Sequence, residues 1–132
     1  MFKTFEEIDA WQEARFLAKT VRDFRTRAIL HKDFGWENQI ARSVLSITAN
    51  IAEGNDATTN AEFLNFLGYA KRSCAETASH LYYGLDHGYI RPEELTSAIA
   101  QARKIGAMLA RLMMYLRSVD NTVRLGSFTR KN

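Results

Sequence analysis

Glu76 and His80 stand one helical turn apart, the nearest approach in the chain to a catalytic or metal-binding pair. A metal would need further ligands, and dinuclear helical bundles use a Glu-x-x-His spacing on each of two helices. Here the spacing is Glu-x-x-x-His and occurs once; it suits an ion pair along one helix better than a ligand set. Cys74 is the single cysteine, which excludes an internal disulfide and a cysteine-based zinc site. It falls among leucines, where a thiol acts as a small apolar residue. Phosphate loops, Gly-x-Gly-x-x-Gly, His-Glu-x-x-His and Gly-x-Ser-x-Gly patterns are absent. The expectation is a protein that is not an enzyme and takes no cofactor and no metal.

Two other groups of residues carry more information. The first is Ser46-Ile-Thr-Ala-Asn50-Ile-Ala-Glu53-Gly54. Asn50 and Glu53 fall beside an apolar stripe, with Arg42 two turns before Asn50 and Glu76 available from another helix. Buried polar groups must be paired or they cost heavily. A hydrogen-bonded network of Arg42, Asn50, Glu53 and Glu76 around Gly54 is therefore expected, fixing register or an assembly interface. Glu53 as a catalytic group lacks a second titrating partner.

The second group is basic. Arg15, Lys19 and Arg22 are spaced four and three apart and share one helix face, which Arg25 extends. Lys104 and Arg111, seven apart, form a second short row with Arg103 and Arg117 nearby. Such rows meet phosphates without reading bases and give salt-dependent binding. The competing reading is a solvated face.

The elements that must hold these residues are helices. Apolar positions recur every three or four residues: Ile8, Trp11, Ala14, Ala18, Val21; then Ile40, Val44, Ile47, Ile51; then Leu64, Leu67, Cys74, Ala78, Leu81, Leu85; then Leu95, Ile99, Ala102, Ile105, Leu109, Leu112, Leu116. The spacing predicts helices over 6–28, 36–52, 60–87 and 92–119. Thr4 with Glu7 and Thr59 with Glu62 fit capping boxes. Gly54 and Gly88 are expected to stop their helices in the left-handed conformation, and Pro92 to open the last one. Four long helices with short connections predict an all-α, up-and-down antiparallel four-helix bundle.

The chain has 132 residues, 46% hydrophobic and 25% charged, with one proline and a net charge of +3. That is enough for one domain with its own core, predicted over 1–119, followed by a basic, flexible tail over 120–132. Nothing approaches the roughly 20 apolar residues of a membrane span. The acidic start, with Glu6, Glu7 and Asp9, is wrong for a secretory signal. A cytoplasmic location is expected. Phe16, Leu17, Phe24, Leu45, Phe63, Phe66, Tyr69, Tyr82, Tyr83, Met108, Met113 and Tyr115 exceed the stripes, so an exposed patch or self-association is expected.

The segment Asn50-Ile-Ala-Glu53-Gly54, preceded by Gln39-Ile-x-Arg42-Ser43 and Ser46-Ile47, resembles the four-helix-bundle proteins encoded in intervening sequences of bacterial 23S ribosomal RNA genes. The opening Phe5-x-x-Ile8-x-Ala10-Trp11-Gln12-x-Ala14 is similar to that family's first helix. Phe63-Leu64-x-Phe66-Leu67-x-x-Ala70, followed by Ser73-x-x-Glu76, is similar to its third. The likeness covers about residues 5–118. It implies a ring-shaped homo-oligomer, favouring a pentamer, and a relation in fold to the accessory protein of diversity-generating retroelements. That accessory protein engages a reverse transcriptase and nucleic acid. Arg42, Asn50, Glu53, Gly54 and Glu76 match the family's polar positions. Thr48 stands where a proline is usual, Asn55 and Asp56 replace a basic residue, and Lys71-Arg72 falls where glycine is frequent.

The functional expectation is a non-enzymatic oligomeric module that binds RNA or DNA through its basic residues, beside a reverse transcriptase or an rRNA-associated element. The alternative is a protein-only adaptor or scaffold that binds no nucleic acid.

Overall fold

The computed structural model describes residues 2–119. A one-turn 3-10 helix at Phe5–Glu7 leads into α1 (Asp9–Leu30), α2 (Phe34–Asn55), α3 (Asn60–Asp86) and α4 (Pro92–Arg117). Each helix packs on the next and α4 closes against α1. Short connections reverse the chain three times, which makes the bundle the predicted all-α, up-and-down one. No β-strand occurs among the described residues. The expected tail, 120–132, lies outside them.

Most predicted stripe positions fall in one core, joined by Leu17 and Phe63 from outside the stripes, while Trp11, Ala18, Leu64, Ala78, Leu85 and Leu112 pack partly buried against it. Ala14, Leu17 and Val21 from α1, Ile40, Ile47 and Ile51 from α2, Phe63, Leu67 and Leu81 from α3, and Ile105, Leu109 and Leu116 from α4 are almost wholly buried. Burying each large side chain contributes roughly 1.5–3 kcal/mol. Of the surplus apolar residues, Leu17, Phe24 and Phe63 are core, while Phe16, Leu45, Tyr69, Tyr82, Tyr83 and Tyr115 are exposed.

Two local expectations are corrected. The Glu7 carboxylate accepts the Thr4 amide at 3.0 Å, but this box caps the 3-10 turn, not α1. Ile8 breaks the run in an extended conformation, and its side chain is buried against the bundle. Gly54 does not end α2. It is the last residue but one of α2 and does not take the left-handed conformation; a Cβ there would sit 2.8 Å from Phe63 Cδ1 and 2.9 Å from Phe66 Cβ. Glycine is required there by close helix approach, not by a turn. Gly88 does take the expected left-handed conformation, at φ +82°.

Candidate nucleic-acid interface

Polar residues tie α2 to α3 along their contact. Asn50 Nδ2 donates to the Ser46 carbonyl at 2.8 Å and to Ser46 Oγ at 2.9 Å. Ser73 Oγ donates to Ser46 Oγ at 2.9 Å. One turn further, Thr77 and Ser43 are both buried and their hydroxyl oxygens lie 2.9 Å apart. Either hydroxyl can donate across that pair while the other donates to its own helix, Thr77 to Ser73 and Ser43 to Ile40. A hydrogen-bonded seam thus joins α2 to α3, with Asn50 in it. Arg42, Glu53 and Glu76 are exposed and point away from the contact. Arg42 and Glu53 are separated by about three helical turns, so both share the outward face of α2. Short hydroxyls and one amide fill the seam because charged groups could not be desolvated there without a partner. Gly54 adds no polar group; it lets α2 approach Phe63 and Phe66.

A second cluster clasps the end of the bundle where the α1–α2 and α3–α4 connections meet. Asp33 accepts the Trp36 amide as N-cap of α2 at 3.2 Å, the Tyr89 hydroxyl at 2.8 Å and the Tyr83 hydroxyl at 3.2 Å. The Tyr89 hydroxyl and the Trp36 amide hold the Asp33 carboxyl below its ordinary range. The same bond, with burial, pushes the Tyr89 phenol up to about 12. Trp36 Nε1 donates to the His80 carbonyl at 2.8 Å. The Arg27 guanidinium donates to both Glu94 oxygens, at 2.7 and 3.1 Å, and to the Tyr89 carbonyl at 2.9 Å. That guanidinium lowers the Glu94 carboxyl to about 2. The sequence reading missed this clasp; Asp33 ahead of Trp36 was its one local sign, as an N-cap.

No nucleophile or metal centre is assembled among these groups. Burial pushes the Cys74 thiol up to about 12, which keeps it protonated. Among the described residues no group of three or more His, Cys, Asp or Glu side chains could hold a metal ion.

The basic residues separate into two sets. Arg15, Lys19 and Arg22 stand exposed in line on α1, as predicted. Arg15 lies 5.9 Å from the Trp11 ring centroid and Lys19 lies 5.5 Å from that of Phe16, each with its charge over the ring. Two of the others are held by carboxylates. Arg25 is held by Glu37 at 2.7 and 2.9 Å, and Lys104 by Glu13 at 3.1 Å. Arg111 lines a small cleft with Glu7 and Asp9, and Lys19 one with Asp23, Glu93 and Glu94, but neither is in an ion pair among the described residues. Arg25 and Lys104 therefore fall outside the open cationic set, because carboxylates of neighbouring helices hold them. A further basic tract, Lys71, Arg72, Arg103 and Arg117, lines clefts between α3 and α4. Its signal in the sequence is a missing charge: no Asp or Glu occurs from Leu95 to Arg117.

The arrangement is that of a helical bundle with basic outer faces and a core held in register by buried hydroxyls. The family model described as the 23S rRNA-intervening sequence protein matches residues 6–111, and the chain belongs to that family. It is also similar to a crystal structure from Bacteroides thetaiotaomicron, described as a protein with unknown function from the S23 ribosomal protein family. The two share 27% sequence identity with a TM-score of 0.74, over 79% of this chain and 97% of the other. No curated protein matches the chain. No helix among the described residues is long and apolar enough to cross a membrane.

Proposed function

We propose that this chain is a non-enzymatic, self-associating, cytoplasmic helical module that binds nucleic acid through its basic helix faces. The observation that carries the reading is the row Arg15, Lys19 and Arg22: three exposed cations on one helix face with no carboxylate in ion-pair reach among the described residues. Cations so arranged meet consecutive phosphates and release counterions. The family's tie to 23S rRNA intervening sequences agrees with an RNA or DNA partner. A reverse transcriptase is the protein partner this reading favours. Self-association, with a ring-shaped pentamer favoured, draws on exposed apolar side chains such as Leu45, which is 67% exposed.

The test is oligonucleotide binding across a salt series. The triple variant Arg15→Gln/Lys19→Gln/Arg22→Gln should bind more weakly and lower the slope of log affinity against log salt by about 2 to 3. Unchanged affinity and slope would remove this face from the reading.

The exposed Phe16, Leu45 and Tyr82 favour a second reading, a protein-only adaptor. It predicts no nucleic acid co-purifying at low salt. Light scattering on the same preparation reports the subunit count.

A further inference from the structure

Four of the helical glycines, Gly54 and Gly84 in the last turns of α2 and α3, Gly68 and Gly106 in helix interiors, divide into two kinds. At Gly54 and Gly84 an added Cβ would collide with neighbouring side chains; at Gly84 it would sit 2.6 Å from Ile90 Cδ1 and 2.7 Å from Trp36 Cζ2. Packing inside the bundle demands those two. At Gly106 a Cβ would meet nothing within 4 Å, and at Gly68 only Met113 Cε at 4.0 Å. Glycine inside a helix destabilises relative to alanine, and nothing inside the bundle requires it at these two positions. Both lie on the α3–α4 side of the bundle: Gly106 on α4 lines one cleft between those helices and Gly68 on α3 lines a second.

The rest of the groove matches an outside occupant of negative charge. Two clefts, of about 410 and 470 Å³, lie along it. Ala75, Ala78 and Ala102 join Gly106 in a shallow apolar floor, with Lys71 on one rim and Arg103 on the other. Further along, Arg72 and Arg117 flank Gly68. All four cations are exposed, and none is in ion-pair reach of a carboxylate among the described residues. No Asp or Glu occurs from Phe63 to Ala75 or from Leu95 to Arg117. Tyr69, 47% exposed, lies beside this tract with the Arg72 guanidinium 5.5 Å from its ring centroid.

We propose that the α3–α4 groove is a track for single-stranded nucleic acid. The proposal rests on the nucleic-acid reading above and names its substrate class. From Arg103 to Arg117 the track runs about 21 Å at the rise of an α-helix, room for a few nucleotides. Small floor residues let a strand approach the helix backbones, the four rim cations meet its phosphates, and Tyr69 supplies a face on which a base stacks, with Arg72 beside it. A duplex is too wide to enter a groove between two helices whose axes are roughly 8–10 Å apart.

The experiment is anisotropy titration of labelled oligothymidylate, oligouridylate and a blunt DNA duplex against the full chain. Single strands should bind at least about tenfold more tightly than the duplex. Lys71→Gln/Arg103→Gln and, separately, Gly106→Met should each weaken single-strand binding by about tenfold and leave duplex binding unchanged. Tyr69→Ala should lose about as much, with Tyr69→Phe retaining wild-type affinity. The α1 triple variant should weaken strand and duplex binding by the same factor. Helical circular dichroism and melting temperature establish that each variant is folded, and Gly106→Ala should melt higher than wild type.

Single-strand binding unaltered in every folded groove variant would overturn the track while leaving the α1 reading standing. Equal loss of strand and duplex binding in the groove variants would overturn the single-strand class. A chain that binds none of the three probes overturns both readings. Capture of an acidic amphipathic peptide in their place would assign the groove to a protein helix.

Discussion

The α2–α3 and α3–α4 contacts use small residues for opposite ends. Between α2 and α3, Gly54 disappears under Phe63 and Phe66, and Ser43, Ser46, Ser73 and Thr77 exchange hydrogen bonds across the seam. Between α3 and α4, Gly68 and Gly106 face outward beside Lys71 and Arg103. The first contact spends its small side chains on holding two helices together in one register. The second leaves them uncovered under a rim of unpaired cations. A small residue in a helix therefore has no single meaning. What an added methyl group would touch decides whether it serves the fold or an approaching partner.

The strongest way to break this contrast is at Gly84. Gly84→Val drives side-chain atoms into Ile90 and Trp36 and should destabilise by about 3 kcal/mol in chemical denaturation. A loss near zero would mean that the clasp end yields easily and that the inner glycines are not demanded by packing.

Next in size is the Arg27–Glu94 pair. Its carboxyl is lowered to about 2 from 4.5, so the stabilisation is complete above about pH 4.5 and is lost as pH falls toward 2. Glu94→Gln should cost about 1.5–3 kcal/mol at neutral pH and flatten the acid limb of the stability profile between those values.

Across the seam, Thr77→Val should cost about 1 kcal/mol, since it leaves Ser43 without its cross-helix partner. Ser43→Ala/Thr77→Val should cost less than the sum of the single changes, as coupled groups do. Strict additivity would separate the two hydroxyls energetically.

The smallest effect carries the opposite sign. Gly106→Ala should stabilise by about 0.5–1 kcal/mol, because its Cβ meets nothing within 4 Å. A loss of stability there would return Gly106 to a packing role.

The bundle was legible in the sequence because its signals are local. Apolar spacing named Ile47, Leu67, Leu81 and Leu109 as core, Pro92 opens α4, and the Thr59 hydroxyl accepts the Glu62 amide at 3.2 Å. Where the reading failed, a local motif had two physical uses. Gly54 looks like a left-handed helix stop until Phe63, on the next helix, is seen covering it. Arg42, Glu53 and Glu76 sit one position from a buried stripe, and one position is enough to turn a side chain from seam to solvent. Pairings across the bundle, such as Lys104 with Glu13 and Arg25 with Glu37, cannot be read from spacing along one helix. They decided which predicted cations remain open. The groove was written partly in absence, as the long acid-free run of α4, which a search for motifs passes over.

The most direct test of the contrast is an amide chemical-shift titration of isotope-labelled protein with oligouridylate. Perturbations should fall at Gly68, Lys71, Arg72, Arg103 and Gly106 and along the Arg15, Lys19, Arg22 row, with Ser43, Gly54 and Thr77 unmoved. Perturbations centred on the α2–α3 seam, or none at saturating oligonucleotide, would contradict that contrast.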